Sequence, residues 1–130
     1  GRSNYLKEGV HLLTNGHYVV CSGTWKNGGT PEAGAVTWCD GTTGCKNTVV
    51  SAVNSLVGSQ SYDRVGNFGV TALANGNYVV RSPYWNLDLG NDYVDVNVGA
   101  VTWGNGTVGT RGVVSPANSL RDGKRGLAHG

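Results

Sequence analysis

The fold of this chain is decided by a stretch of eight residues that occurs twice. Residues 13–20 read LTNGHYVV, and residues 73–80 read LANGNYVV. Self-similarity at a fixed spacing indicates a repeat architecture, in which one supersecondary unit recurs along the chain. The two copies therefore predict two equivalent folding units.

Two further motifs extend the repeat towards the C-terminus. The sequence GAVTW at residues 34–38 recurs at residues 99–103, and VVSAVNSL at residues 49–56 recurs as VVSPANSL at residues 113–120. The second copy is longer because of residues 84–98, whose composition is that of a loop. Loops tolerate insertions better than strands do, so the extra length leaves the repeat intact.

The copies divide the chain into a first unit, residues 1–66, which includes a linker remnant, and a second unit, residues 67–130, which includes a C-terminal tail. Each unit is rich in Val, Tyr, Trp and Thr between turn signals, which predicts about four short strands. The Asn75-Gly76 pair predicts a two-residue hairpin turn.

Strands such as residues 78–80 are apolar on both faces, which is typical of small sheets that stack on one another. We therefore expect an all-β fold of two four-stranded units that resemble blades of a β-propeller. Two blades cannot close a ring, since each leaves strand edges and apolar faces that need neighbours. Either a homo-oligomer of three or four chains closes the ring, or the chain is part of a longer array.

Composition favours an extracellular or cell-surface protein. Charged residues make up 14% of the chain, below the roughly 25% that is typical of soluble domains. The net charge of +2 forms no basic stripe, so we expect no nucleic-acid partner. No apolar run approaches the roughly 20 residues of a membrane span, and no membrane insertion is expected.

The cysteines leave two alternatives open. Cys39 and Cys45 flank a turn-rich loop, DGTTG, that could bring them within disulfide range, but they could equally be two free thiols. Cys21 follows a strand and is interpreted as a small core residue. No fourth ligand completes a zinc site, and we expect no metal and no cofactor.

The sequence does not predict an enzyme. His11 and His17 correspond to Thr71 and Asn77 in the second copy, so neither histidine belongs to the repeated pattern. The acidic segment of residues 88–95 departs from the spacing of known calcium loops and is interpreted as a solvated loop. We therefore predict no catalytic residues.

The tryptophans suggest a ligand site. Trp38 and Trp103 end the GAVTW strands and are expected to be wedges between the units. Two other tryptophans precede polar loops, where a flat ring beside amide and carboxylate groups suits a sugar. We predict that these two indoles are partly exposed. The candidate ligand-binding residues are Trp25, Asn27, Trp85, Asn86 and Asp88.

The repeated pattern resembles tandem repeats in large bacterial haemagglutinin-like and adhesin-like surface proteins. The resemblance implies propeller-like repeats in a secreted or surface protein that binds something, and it implies no catalytic residues. The first unit departs from the pattern with Cys39 and Asp40 where the second has Gly104 and Asn105, which predicts a hairpin turn of different shape. The leading expectation is a non-enzymatic adhesion module that binds glycans through repeated shallow sites. The alternative is a self-assembling structural repeat with no small ligand.

Overall fold

A computed structural model describes residues 9–45, 49–90, 93–95 and 97–121. Within these ranges the chain is all-β, with eleven strands and no helix. The strands are β1 Gly9–Leu12, β2 Tyr18–Ser22, β3 Ala35–Cys39, β4 Ser55–Val57, β5 Val70–Ala72, β6 Tyr78–Ser82, β7 Leu87–Gly90, β8 Tyr93–Asp95, β9 Ala100–Gly104, β10 Gly112–Val113 and β11 Ser119–Arg121.

Each repeat unit forms an antiparallel meander of four strands. In the first unit the spatial order is β1-β2-β3-β4, and in the second the corresponding order is β5-β6-β9-β11. The register is the same in both, since Val20 pairs with Thr37 and Val80 pairs with Thr102. The predicted all-β repeat is confirmed, but the fourth strand of the second unit, predicted at residues 112–115, lies instead at Ser119–Arg121. The additional strands β7 and β8 form a separate hairpin within the longer loop of the second unit.

Strand β10 links the two units. It belongs to the second unit in sequence but pairs in parallel with β4 of the first, which makes a five-stranded sheet. The backbone N–H of Val114 continues this pairing by donating to the carbonyl of Val57 at 2.9 Å. The two sheets do not close into a barrel or a ring within the described residues. The described residues therefore do not form a complete propeller.

The turn after β1 differs from the predicted two-residue hairpin. Five residues separate β1 from β2, and the turn closes with a bond from the Leu13 N–H to the His17 carbonyl at 2.9 Å. Only Gly16 in this turn has a positive φ, at 93°, so the type I′ turn that an Asn-Gly pair favours is absent. Asn15 instead accepts the His17 N–H through its side chain, at 3.1 Å. The second unit repeats this arrangement through Asn75.

The hydrophobic core lies between the two sheets and is shared by both units. Strands β2 and β3 contribute Val19 and Val36, and strand β6 contributes Tyr78 and Val80 from the opposite side. Each of these side chains is 1% exposed or less. The core also includes Cys21, which confirms its interpretation as a small core residue. In the described part of the chain the two units therefore share one core, and each buries apolar side chains against the other.

Candidate functional site

The predicted partial exposure of Trp85 is wrong, because this residue belongs to the core. Its side chain is 3% exposed, whereas the sequence predicted partial exposure of the indole. Trp85 packs in the cluster between the sheets, where the apolar area of its ring is removed from water. Its indole cannot stack on a ligand in this structure.

Asn86 is also buried, and its hydrogen bonds are used within the protein. It donates to Asp63 from its backbone N–H at 2.7 Å and from its side-chain amide at 3.0 Å. Its side-chain oxygen accepts the Asn97 N–H at 2.8 Å. The amide thus joins the linker between the units to the long loop of the second unit, and it is not presented to solvent.

Asp63 is the centre of this buried network. One carboxylate oxygen accepts the two bonds from Asn86, and the other accepts the N–H groups of Ser59 and Gln60 at 3.0 and 2.9 Å. Burial raises the pKa of Asp63, and the surrounding N–H donors offset part of that effect. No sequence pattern marks Asp63 as a candidate, since a single aspartate in a linker carries no signal of burial.

Trp25 and its loop remain nearer to solvent than Trp85. Trp25 is half-buried, and the side-chain amide of Asn27 donates to the Gly58 carbonyl at 2.9 Å. Asn27 also pairs with Thr30 to close the loop. Asp88 lies on β7, and its side chain is outside the described part of the structure. Of the predicted ligand residues whose side chains the structure describes, Trp25 and Asn27 are thus half-buried, and Trp85 and Asn86 are buried.

Cys39 and Cys45 form a disulfide, with their Cα atoms 5.4 Å apart. It closes the turn after β3, and the side chain that begins this turn makes the same hydrogen bonds as its counterpart after β9. Asp40 and Asn105 each accept two backbone N–H groups two and three residues ahead. The predicted difference in turn shape is therefore wrong: the carboxylate and the amide oxygens make the same bonds.

His17 has a structural role that its counterpart repeats. Its Nδ1 accepts the Gly41 N–H at 2.9 Å, and the side-chain oxygen of Asn77 accepts the Gly106 N–H at the same distance. The two residues differ in type but hold the same turn. Among the described residues, no group of three or more His, Cys, Asp or Glu side chains is arranged to bind a metal ion.

The two units meet at a junction that is held by hydrogen bonds from side chains of the first unit to backbone carbonyls of the second. We call the side of each unit that faces the next unit its front face, and the opposite side its back face. On the front face of the first unit, the Asn15 amide and the Trp38 indole both donate to the Gly106 carbonyl, at 2.8 and 2.9 Å. Thr14 donates to the Leu73 carbonyl at 3.0 Å. These bonds fix the second unit against the first.

The linker between the units fills a socket on the front face of the first unit. Val65 is fully buried and pairs with Gly34, where a Cβ atom would meet the Val65 backbone. A Cβ atom on Gly23 would lie 2.6 Å from the Cα of Asn67. Glycine is therefore required at both positions so that the linker backbone can approach the sheet.

The same socket on the second unit is open. A cavity of about 310 Å³ lies on its front face and is lined by Pro83, Gly99, Ala100, Val101 and Leu120, among others. In the repeat alignment these positions correspond to Gly23, Gly34, Ala35, Val36 and Leu56, which surround the junction in the first unit.

Side chains at equivalent repeat positions are buried on the front face of the first unit and exposed on that of the second. Leu56 is 1% exposed, whereas Leu120 is 77% exposed. Val36 is fully buried and Val101 is 41% exposed. Trp103 is 53% exposed, so its predicted role as a wedge between units is wrong, while Trp38 packs against the core as predicted.

The back face of the first unit shows the reverse pattern. Val20, Thr37 and Val50 line a smaller cavity of about 130 Å³ there. Val20 is half-buried, whereas Val80, its equivalent in the second unit, is fully buried against the first unit. The front face of the second unit and the back face of the first unit thus each expose one of the two surfaces that meet at the junction between the units. The sequence repeat identifies these equivalent positions, but it does not tell which copies are covered.

Comparison with known proteins identifies the repeat. Residues 12–67 and 72–121 match a family described as a repeat of unknown function (DUF5650). These two matches cover most of the chain, and the chain belongs to this family. No curated protein and no solved structure matches the chain. In the part of the chain that the structure describes, no helix is long and apolar enough to cross a membrane.

Proposed function

We propose that this chain is a non-enzymatic stacking module, whose units each cover the front face of the preceding unit and offer their own front face to the next. The observation that carries this proposal is the contrast between Leu56 and Leu120, which occupy the same repeat position at 1% and 77% exposure. Repeat proteins derive their stability from such interfaces between neighbouring units.

The use of the polar side chains supports a structural role. Asp63, Asn86 and His17 carry the groups that a catalytic or binding site would need, and each is engaged in hydrogen bonds that hold turns or the linker. His17 thus holds a turn within its unit, and Asp63 and Asn86 join the linker to the second unit.

The lectin-like hypothesis has weaker support. It required two indoles that face solvent, and only Trp25 remains partly exposed, since Trp85 is buried between the units. A single half-buried indole does not supply the repeated sites on which multivalent glycan binding depends.

The proposed setting is the outside of the cell, where a stacked array could form part of an adhesive surface protein. The disulfide between Cys39 and Cys45 supports this setting, because such bonds persist mainly in oxidising compartments. The resemblance to haemagglutinin-like and adhesin-like repeats points the same way. A propeller-like ring of three or four chains would be one closed form of the array.

A three-unit chain tests this proposal. We would extend the protein after Arg121 with a further copy of residues 58–121, so that a linker reaches the open socket of the second unit. The same chain would carry Pro83→Gly, because Pro83 stands where the first unit has Gly23, a position at which any Cβ atom would meet the linker backbone. Because the new unit adds one more junction of the same kind, we expect one cooperative unfolding transition with a higher denaturant midpoint.

The matched control is the same three-unit chain with Leu120→Lys in its middle unit. This charge would lie in the new junction, so the gain in midpoint should disappear. The proposal would be wrong if the three-unit chain unfolded in two independent transitions, with the midpoint of the original part unchanged.

A further inference from the structure

We propose that the front face of the second unit binds the back face of the first unit of a second copy of this chain, in a head-to-tail contact. This inference rests on the stacking function proposed above and names the partner and the atoms of the contact. The junction inside the chain is the template, since it joins a front face to a back face in the same way.

The first part of the contact is a parallel strand. In the internal junction, β10 lies along β4, and the Val114 N–H donates to the Val57 carbonyl. The strand equivalent to β4 is β11, which lies at the edge of its sheet. Residues 49–50 of the second copy are equivalent to residues 113–114 and would extend this edge.

Residues 49–50 are already held in the pose that this pairing needs. The Asn54 side chain donates to the Val49 carbonyl at 2.7 Å, as Asn118 donates to the Val113 carbonyl at 2.9 Å. Val49 is 82% exposed, against 40% for Val113. The segment therefore already has the conformation that the pairing needs, and among the described residues no strand lies beside it.

The second part of the contact is a pair of side-chain donors. In the internal junction, Asn15 and Trp38 both donate to the Gly106 carbonyl. Their equivalents, Asn75 and Trp103, are exposed on the second unit. The matching acceptor in the second copy would be the carbonyl of Gly41. Gly41 is exposed here, whereas Gly106 is buried.

Two arginines set the strength of the contact. Arg81 and Arg121 line the open cavity at positions where the first unit has Cys21 and Val57, both buried. Covering guanidinium groups removes them from water, which opposes association. The intermolecular contact should therefore be weaker than the internal one, and Arg121→Val should strengthen it.

Sedimentation velocity over a range of protein concentrations tests the contact. We expect the wild-type chain to form species heavier than a monomer, Leu120→Lys to abolish them, and Arg121→Val to lower the dissociation constant by about tenfold or more. The control is Val53→Lys. Val53 is 79% exposed, and its equivalent in the second unit, Ala117, is exposed and lies outside the internal junction. A charge at Val53 should therefore leave association unchanged.

Mixing two variants tests the polarity of the contact. Leu120→Lys disables the front face, and Val20→Lys disables the back face, so each variant alone should be monomeric. In the mixture, the Leu120→Lys variant still has an intact back face and the Val20→Lys variant an intact front face. A heterodimer should therefore form, with no larger species. Val50→Lys would replace Val20→Lys if the latter does not fold.

The inference would be overturned if both the wild-type chain and Arg121→Val stayed monomeric throughout, if Val53→Lys weakened association as much as Leu120→Lys, or if the mixture gave no heterodimer. A stabilised three-unit chain together with any of these results would leave the stacking function intact and reject only the contact between copies. Failure of the three-unit chain would reject the stacking function itself.

Discussion

At the scale of single residues, Asp63 carries the largest concentration of polar contacts at the junction. Its carboxylate is fully buried and accepts four N–H bonds, from Ser59, Gln60 and the two nitrogens of Asn86. A buried carboxylate is tolerated only when its hydrogen-bonding capacity is used in this way. From the sequence, Asn86 is a predicted ligand residue because an Asn beside a Trp suits a sugar. The local sequence does not show that the linker brings an aspartate against that Asn.

We predict that Asp63→Ala lowers the free energy of unfolding by about 2–4 kcal/mol, because it leaves several buried N–H groups without an acceptor. The matched control is Glu32→Ala. Glu32 pairs with Arg64 at 2.8 Å, but both side chains are about one-third exposed, so the loss should be about 1 kcal/mol or less. Urea denaturation of both variants measures the difference. Equal losses would contradict the role given to Asp63.

At the scale of structural elements, the turns after β3 and β9 show how different residues support one geometry. In the second unit, the Thr110 hydroxyl accepts the Asn105 N–H at 2.8 Å and braces the turn. In the first unit, Cys45 occupies the equivalent position and is bonded to Cys39. Gly104 takes the place of Cys39, because a Cβ atom there would meet the Tyr78 ring. The sequence differences at this turn thus reflect two ways to hold the same turn, a disulfide in the first unit and a threonine hydroxyl in the second.

Reduction of the disulfide should lower the free energy of unfolding by about 2 kcal/mol, the chain-entropy value for so short a loop. The double variant Cys39→Gly with Cys45→Thr copies the second unit and should recover part of that loss through the threonine hydroxyl. Cys39→Ser with Cys45→Ser is the comparison that lacks this mimicry. Denaturation with and without a reductant measures all three chains. If the two double variants were equally stable, Thr110 would not have the bracing role assigned to it.

At the scale of the whole molecule, the two units share one core, and this explains what the sequence could and could not predict. The repeats, the strands and the all-β class follow from motifs such as GAVTW, which are local. Burial is not local: Trp25 and Trp85 share a motif position, but among the described residues Trp85 packs in the core that the two units share and Trp25 stays half-buried. The sequence therefore predicted equal exposure for side chains that the stack makes unequal. Which end of a repeat is covered depends on the number and order of units in the assembly.

The most direct test of this account compares Leu56→Ala with Leu120→Ala in the monomeric chain at low protein concentration. The two leucines occupy the same repeat position, at 1% and 77% exposure. Removing the buried side chain should lower the free energy of unfolding by about 2–5 kcal/mol. Removing the exposed one should change it by about 0.5 kcal/mol or less. Similar losses for both variants would contradict the account, because they would mean that the second unit covers its front face without a neighbour.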